Sequence, residues 1–551
     1  MRNLLYLLIL FVVFSCKKNN SSDARVPIET SETEAQSSDI SAISTKDFRE
    51  FKVLDSEHVT KAALWATMNP QMSHFKEVDY KRLKPLILDQ DITTLQEYIE
   101  KGKLTYTDLT LFYLYRIRTF DREHPLSLNS VMAINPDVIK QAKIADETEF
   151  EQGKHPIFGM PILLKDNINA SGMATTAGAV ALKDNITDDS FIVSQLKSKG
   201  ALILGKANLS EWAYFFCGDC PSGYSAIGGQ TLNPYGRKVF DTGGSSAGSG
   251  VAVAANFCAA AIGSETAGSI LSPASQNSVV GLKPTIGLVS RSGIVPISST
   301  LDTAGPMTRS VRDNAILLDA IYGFDGSDSK SKTVDINQGY HSNLSKTALK
   351  GKRFGAPKRL LEDTLYSNAL QILKEQGAEI IEIDEQDVGL PNFIRLLNLD
   401  MRKDLPKYME AYANKSIALR TVSDVIGFNQ KDSLKTMPYG QKLFEGIAND
   451  AGDSDYLEAI KDTLKTNGLN YFNKPMQAHT LDGFLSINNY HAAFAAVAEY
   501  PALTVPMGYA ENGEPKGLTF IAKAFQEKEL LQWAYAYEQA SLKRISPKNY
   551  K

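Results

Sequence analysis

The chain has 551 residues, of which 43% are hydrophobic, 22% charged and 9% aromatic. This composition excludes a fibrous, collagen-like or wholly disordered chain and a polytopic membrane protein, and the length allows one large domain or two to three average ones. The 59 basic and 63 acidic side chains give a net charge of −4, without the positive excess of a surface that follows phosphate groups, so we expect no nucleic-acid partner.

The first 15 residues have the pattern of a signal peptide. Arg2 is followed by an apolar run over residues 4–14, which is too short to span a bilayer as a retained helix. The run Val13-Phe14-Ser15-Cys16 resembles a bacterial lipoprotein signal, which is cleaved before a cysteine that then carries acyl chains. This resemblance implies lipid attachment at Cys16 and a place in the cell envelope, on the periplasmic or surface side of a membrane. A plain secretory signal or a buried cysteine are the alternatives.

A polar segment follows the cysteine. From residue 17 to about 45 the chain has hardly any large apolar side chains, so it cannot bury enough surface to offset the entropy lost on ordering. We therefore predict a lipidated cysteine and flexible tether over residues 16–49 and a lead-in over residues 50–84. One large domain is predicted over residues 85–545.

Two helices are predicted at the start of this domain. Helical periodicity begins near residue 87 and places Ile92, Leu95 and Ile99 on one face, with Gly102 as a C-terminal stop. Thr105, together with Asp108 three residues later, has the form of a capping box. This pair predicts the start of a second helix.

Buried strands are predicted at short apolar runs. Those at residues 162–164 and 201–204 are flanked by Gly or Pro, and similar runs return at residues 502–505 and 517–521. Residues from about 320 to 480 are more polar and predict a helical variable section. The short apolar runs suit the buried strands of an α/β sheet.

Two glycine-rich patterns have to be considered, one typical of phosphate binding and one typical of a serine esterase. Residues 200–207 nearly match a phosphate-binding loop, but Ala207 cannot bind magnesium and the intervening residues are those of a strand. Residues 244–248 match a G-x-S-x-G elbow, which would make Ser246 the nucleophile of a Ser-His-acid esterase. The downstream histidines available to it are His341, His479 and His491. None of the seven histidines has the spacing of a metal site, so we expect no metal.

A third pattern combines Lys165 after an apolar strand with Ser245 and Ser269, which stand 24 residues apart. This layout resembles that of the amidase signature family. The likeness covers roughly residues 85–545, and within the family the sequence around Ser269 is most similar to bacterial peptide amidases. The motifs that carry the likeness are Pro161-Ile-Leu-Leu-Lys165-Asp-Asn-Ile168, Thr242-Gly-Gly-Ser-Ser-Ala-Gly248, Gly263-Ser-Glu-Thr-Ala-Gly-Ser-Ile270, Gly281-Leu-Lys-Pro284, Gly287-Leu-Val-Ser-Arg291, Leu301-Asp-Thr-Ala-Gly-Pro306 and Tyr500-Pro-Ala-Leu-Thr-Val-Pro506.

The resemblance implies a fold and a set of roles. The expected fold is a single large α/β domain whose mixed central β-sheet is covered by helices on both faces, and no cofactor is expected. Ser269 would be the nucleophile, Ser245 a bridging serine on a cis peptide bond, and Lys165 the base, with Ser246 adding a hydrogen bond to the lysine. An oxyanion needs fixed donors. Those expected are the backbone N–H groups of Thr266, Ala267, Gly268 and Ser269.

Two features depart from or add to the family pattern. Many members have Gly-Gly-Ser-Ile-Arg around the nucleophile, whereas this chain has Ala267-Gly-Ser-Ile-Leu271. The missing arginine argues against the glutamine-hydrolysing subunit of the transfer-RNA amidotransferase. Cys217 and Cys220 form either a tight disulfide or two free thiols.

These observations predict a lipid-anchored serine amidase. Its expected substrate is a small-molecule or peptide carboxamide, with a C-terminal peptide amide as one candidate, and its only contact with a membrane would be the anchor. The oligomeric state stays open. The alternatives are an inactive, binding-only lipoprotein on the same scaffold, the glutamine-hydrolysing amidotransferase component, and the esterase built on Ser246.

Overall fold

A mixed eleven-stranded sheet lies at the centre of the computed structural model, which describes residues 51–148, 153–336 and 338–551. The predicted signal peptide, Cys16 and tether lie outside the described residues. A separate two-stranded ribbon is formed by β4 and β5. The strands are β1 (Val131–Ile134), β2 (Pro161–Lys165), β3 (Leu202–Ala207), β4 (Tyr224–Ser225), β5 (Gly229–Gln230), β6 (Ala260–Glu265), β7 (Val280–Lys283), β8 (Thr303–Thr308), β9 (Arg353–Pro357), β10 (Glu379–Ile383), β11 (Gly483–Ile487), β12 (Ala502–Tyr509) and β13 (Pro515–Ile521).

The strand order in the sheet is β1-β3-β2-β6-β8-β7-β12-β13-β11-β9-β10. Strand β2 is parallel to both β3 and β6, whereas β8, β7, β12 and β13 pair antiparallel with their neighbours. The predicted strands at 162–164, 201–204, 502–505 and 517–521 are β2, β3, β12 and β13. All six residues of β3 and of β6 are buried, as expected for central strands with both faces covered.

Helices cover the sheet in two groups. Ala247–Ala254 and Leu271–Gln276 pack against each other and on the central strands, while Val311–Ile321 packs with Phe191–Ser198 and Glu527–Ser541 and contacts β7 and β8. The predicted α/β domain with a mixed sheet between helical layers is confirmed. The remaining α-helices are Lys61–Trp65, Met68–Gln71, Glu77–Ile87, Ile92–Glu100, Tyr106–Phe120, Val138–Glu147, Thr364–Glu375, Phe393–Ala411, Val422–Asn429, Ser433–Thr436, Lys442–Asn449, Ser454–Ala478 and Ala492–Val497, and the 3-10 turns are Val180–Leu182, Glu211–Tyr214, Lys358–Glu362, Gln430–Asp432 and Lys548–Tyr550.

The two predicted N-terminal helices are present. Ile92–Glu100 buries Ile92 and Leu95, and Gly102 follows with φ +65°, a conformation that glycine adopts without strain. The second helix, Tyr106–Phe120, is capped by Thr105, whose Oγ1 accepts a hydrogen bond from the Asp108 N–H at 2.9 Å.

The described residues of the lead-in (50–84) and of the variable section (320–480) are packed into the large α/β domain. Three helices lie between Lys61 and Ile87, and Trp65 and Met68 are buried in the same hydrophobic core as the central strands. Residues 320–480 are largely helical, but they also contain β9 and β10, which extend the sheet at its edge. The helices of the predicted helical variable section are thus accompanied by two strands that the sequence did not indicate. No helix among the described residues combines the length and apolar character needed to cross a membrane.

Candidate active site

The predicted lysine and serines meet where β2 and β6 end. Lys165 is the last residue of β2, and the pairing of Leu164 with Ile262 places it beside the end of β6. Ser245 lies just before the helix Ala247–Ala254, and the Gly244–Ser245 peptide bond is cis. The Ser246 N–H donates to the Ser269 carbonyl at 3.1 Å, so the two serine motifs are joined directly through their backbones.

Glycine at position 248 allows this approach. A Cβ on Gly248 would lie 2.4 Å from the carbonyl oxygen of Asn208, and the Gly248 N–H donates to that same oxygen at 3.0 Å. Any side chain would therefore push the helix away from the segment that follows β3. The Ser210 N–H in turn donates to the Ser245 carbonyl at 3.0 Å, which fixes the serine on its second side.

Lys165 is fully buried, and its amine has three hydrogen-bond partners. Nζ lies 2.7 Å from Ser245 Oγ, 2.9 Å from Ser264 Oγ and 3.0 Å from the Ser264 carbonyl oxygen. Burial lowers the pKa of Lys165 to about 7, although the carboxylates of Asp302 and Glu265 act in the opposite direction. A neutral amine is therefore accessible near neutral pH in direct contact with Ser245.

Ser264 and Asn167 are members of this network that sequence reasoning missed. Ser264 Oγ accepts hydrogen bonds from Lys165 Nζ and, at 2.9 Å, from Asn167 Nδ2. Ser264 is the penultimate residue of β6, and Asn167 follows Lys165 by two residues. Both therefore lie within the quoted motifs, and the signal that could have found them is their position at adjacent parallel strand ends.

The structure corrects the prediction for Ser246. Its hydroxyl donates to the Ser264 carbonyl at 3.0 Å and accepts from the Ser264 N–H at 3.2 Å, and it makes no hydrogen bond with Lys165. The reason is the side-by-side placement of Ser246 and β6, which pairs the hydroxyl with the backbone of Ser264. Ser246 thus supports the lysine only through Ser264.

Ser269 lies at the open side of the network. Its side chain is half-buried, whereas Lys165 and Ser245 are buried completely. Its hydroxyl has no hydrogen-bond partner among the residues that the structure describes. The structure thus leaves this oxygen accessible and unpaired next to the buried Lys165–Ser245 pair.

Glu265 organises the segment that carries Ser269. One carboxylate oxygen accepts from the Gly268 N–H at 2.7 Å, and the other accepts from Ile270 and Leu271 at 2.7 and 3.0 Å. Because the Gly268 N–H points at Glu265, the prediction that it faces a substrate oxygen is wrong for this structure. Charge-assisted bonds of this kind are stronger than neutral ones, so the carboxylate holds the loop in one conformation.

The other predicted backbone donors remain available. The N–H groups of Ala267 and Ser269 donate to no residue in the described part of the chain, and both residues are partly exposed. Thr266 is buried, and its hydroxyl donates to Asp302 Oδ1 at 2.5 Å. Its assignment as an oxyanion donor stays a prediction.

The histidines are not placed for an esterase at Ser246. His491 is buried, with Nδ1 2.6 Å from Ser486 Oγ and Nε2 2.8 Å from Glu385 Oε1. His341 pairs with Asp319, and His479 contributes its carbonyl oxygen to Arg353. The Ser246 hydroxyl contacts none of them.

The remaining candidate motifs have structural roles. Lys206, from the loop-like pattern at 200–207, is buried in β3 and forms an ion pair with Asp166 at 3.2 Å. Cys217 and Cys220 are joined as a disulfide with their Cα atoms 5.8 Å apart, and Cys258 is free and buried. Within the described residues no group of three or more His, Cys, Asp or Glu side chains is placed to hold a metal ion.

Comparison with known proteins identifies the family of the chain. The sequence profile of the family described as Amidase matches residues 108–531. A probable amidase of Arabidopsis thaliana is 35% identical over 481 residues, which cover 84% of this chain and 92% of that protein. The chain therefore belongs to the amidase signature family, and it is a hydrolase that acts on the C–N bond of amides.

Two further relatives have names that state a more specific activity. The crystal structure of native peptide amidase from Stenotrophomonas maltophilia is 40% identical, with a TM-score of 0.78, and covers 84% of this chain and 98% of its own. A glutamyl-tRNA(Gln) amidotransferase subunit from Microcystis aeruginosa is 33% identical over 486 residues, or 81% of this chain and 96% of that protein.

Replacing Glu265 tests its role in holding the loop that carries Ser269. In Glu265→Gln one oxygen becomes an NH₂ group that faces a backbone N–H, so we expect the free energy of unfolding to fall by about 2–3 kcal/mol. Urea unfolding of the purified protein measures the change. The matched variant Glu375→Gln, on an exposed helix surface, should stay within about 0.5 kcal/mol of wild type. Equal stability of Glu265→Gln and wild type would contradict the assignment.

Proposed function

We propose that this amidase hydrolyses a carboxamide through an acyl-enzyme on Ser269, with Ser245 and Lys165 as the proton relay. The observation that carries the proposal is the 2.7 Å contact between the buried Lys165 amine and Ser245 Oγ, next to the accessible Ser269. A serine hydroxyl is a weak nucleophile until a base removes its proton. A lysine can act as that base when burial brings its pKa near neutrality.

The arrangement of partners around Lys165 supports this use of the amine. A neutral amine has two N–H bonds and one lone pair. The carbonyl and hydroxyl oxygens of Ser264 accept the two N–H bonds, at 3.0 and 2.9 Å, which directs the lone pair at Ser245. The Ser245 hydroxyl can then give its proton to Nζ while it takes the proton of Ser269.

The reaction would proceed in two halves. Ser269 Oγ bonds to the carbonyl carbon as its proton moves to Ser245 and the Ser245 proton moves to Lys165, and the amide N–H groups of Ala267 and Ser269 stabilise the oxyanion. The proton then returns through Ser245 to the amide nitrogen, the C–N bond breaks and the amine departs. Water next attacks the ester by the same relay, which releases a carboxylic acid and restores Ser269.

A C-terminal peptide amide is our proposed substrate. The 40% identity to the Stenotrophomonas peptide amidase supports this class. Leu271 argues against the amidotransferase reaction, because its side chain is fully buried in an apolar cluster with Phe472 and Phe484 and offers no charge to a substrate.

Substitutions of Ser269, Lys165 and His491 distinguish the proposed amidase from the esterase and from the binding-only scaffold. We expect Ser269→Ala, Lys165→Ala and Lys165→Arg to lower kcat for amide hydrolysis by about 10³-fold or more, because loss of the nucleophile or base removes the acyl-enzyme route and a guanidinium stays protonated. His491→Ala should keep the proton relay, because His491 contacts Ser486 and Glu385 and none of the relay residues. Ammonia release from a panel of amides, with acid release from the matching esters, is the measurement.

Other outcomes of that panel point to the alternatives. Activity that survives loss of Ser269 and Lys165 but vanishes with His491 would favour a histidine-dependent esterase. Binding of amides by wild type without turnover would favour the binding-only scaffold. Thermal melting of each variant shows whether it is folded.

The pH profile tests the state of Lys165. Only the neutral amine can accept a proton, and the pKa of about 7 places the change near neutrality. With an uncharged substrate, kcat/KM should therefore rise about tenfold per pH unit below pH 7 and level off above it. A midpoint near the ordinary lysine pKa, or activity that falls as pH rises through 7, would contradict a neutral Lys165 as base.

We also propose that the enzyme is anchored through Cys16 in a bacterial cell envelope. The support is the run Val13-Phe14-Ser15-Cys16 after a short apolar segment and before a polar tether. The Cys217–Cys220 disulfide is compatible with an oxidising compartment.

Fatty-acid labelling tests the anchor. In a bacterial host, wild type should take up a metabolic fatty-acid label and sediment with membranes, because several acyl chains anchor stably. Cys16→Ala should lose both properties. The matched variant Cys258→Ala changes a buried thiol and should keep them. Label that persists in Cys16→Ala would exclude Cys16 as the acceptor.

A further inference from the structure

Asn489 lies directly against the nucleophile loop. Gly268 has φ +92°, and a Cβ built on it would lie 3.0 Å from Asn489 Nδ2 and 3.5 Å from Asn489 Cβ. Because residue 268 has no side chain, nothing separates the Asn489 amide from the backbone next to Ser269. No motif in the sequence points to this asparagine, which comes from the turn after β11, more than 200 residues away in the chain.

The turn that presents Asn489 is anchored on both sides. Asn488 Oδ1 accepts from the Gly517 N–H at 2.8 Å, and His491 is buried between Ser486 and Glu385. The Asn489 carbonyl accepts from the Ala492 N–H at 2.9 Å. These contacts fix the backbone of the turn from which the Asn489 side chain projects.

The Asn489 side-chain amide is itself unpaired. It makes no hydrogen bond with any residue of the described chain, and the residue is half-buried. Asn488 and His491, its neighbours in the turn, use their side chains to hold the protein together. Asn489 instead leaves one acceptor and two donor hydrogens free beside the reacting serine.

We propose that Asn489 is a substrate-binding residue whose side-chain amide pairs with a main-chain amide in the acyl part of the substrate. This inference rests on the proposed function. When the scissile group is a primary carboxamide, the leaving group is ammonia, so every other recognisable group belongs to the acyl part. An asparagine side chain offers N–H and C=O side by side, which complements the N–H and C=O of a peptide unit.

The surroundings strengthen such a contact. The same Cβ on Gly268 would lie 3.6 Å from Ala492 Cβ, and Ala492 is buried. Its methyl group offers no competing donor or acceptor, and a hydrogen bond in an apolar setting is worth more than one in water. Asn489 therefore selects N-acylated amino-acid amides and peptide amides over simple aliphatic carboxamides.

A pair of substrates tests this selection. N-acetyl-leucinamide carries a second amide next to the scissile group, and 4-methylpentanamide has the same branched chain without it. We expect Asn489→Ala to lower kcat/KM for N-acetyl-leucinamide about tenfold to hundredfold and to leave kcat/KM for 4-methylpentanamide within about twofold. Asn489→Asp keeps the acceptor and loses the donor, so its effect on the first substrate should also exceed its effect on the second.

Asn512→Ala is the matched control. It removes a local contact with the Glu514 N–H in the exposed turn between β12 and β13, so it should keep the ratio of kcat/KM for the two amides. If Asn489→Ala lowers both values equally, or changes neither, the assignment of Asn489 is wrong and the relay proposal stands. If folded wild type hydrolyses neither amide, the proposed function fails and this inference fails with it.

Discussion

The burial of a lysine amine between two parallel strand ends is the constraint on which the site depends. A charged ammonium is costly in that position, which lowers the pKa of Lys165 to about 7. The cost is limited because Ser245 and Ser264 supply three oxygen contacts around Nζ. In the neutral amine, the two contacts with Ser264 take up the N–H bonds and leave the lone pair directed at Ser245 Oγ.

Glu265 is a second buried ionisable residue, and it holds the loop that carries Ser269. Glu265 is adjacent to Ser264 on β6, but its carboxylate turns towards the loop and binds the N–H groups of Gly268, Ile270 and Leu271. One strand end thus positions Lys165 through Ser264 and the loop of Ser269 through Glu265. A shift of β6 relative to β2 would disturb both at once, and the dense packing of small residues from Ala247 to Gly250 against these strands opposes it.

The sequence predicts the principal candidate residues of the site but not their partners. Lys165, Ser245 and Ser269 can be singled out because their motifs are local, and β2, β3, β12 and β13 are found because apolar runs indicate burial. Asn489 is missed because only the folded chain brings it to Gly268. The sequence shows that Gly268 has an N–H, but not that Glu265 accepts it. Strands β9 and β10 are missed because each has only five residues and lies in a polar section, so it carries little apolar signal.

The Ser486–His491–Glu385 group shows why connectivity alone does not define a catalytic serine. Its hydrogen bonds, 2.6 and 2.8 Å long, have the order of a serine-histidine-acid triad. Ser486 is nevertheless completely buried in β11, where no substrate carbonyl can reach its oxygen. Ser269 has the opposite properties, an accessible and unpaired hydroxyl at the edge of a buried relay. The buried group instead fixes the turn that carries Asn489, and Asn489 lies against Gly268 in the loop of Ser269.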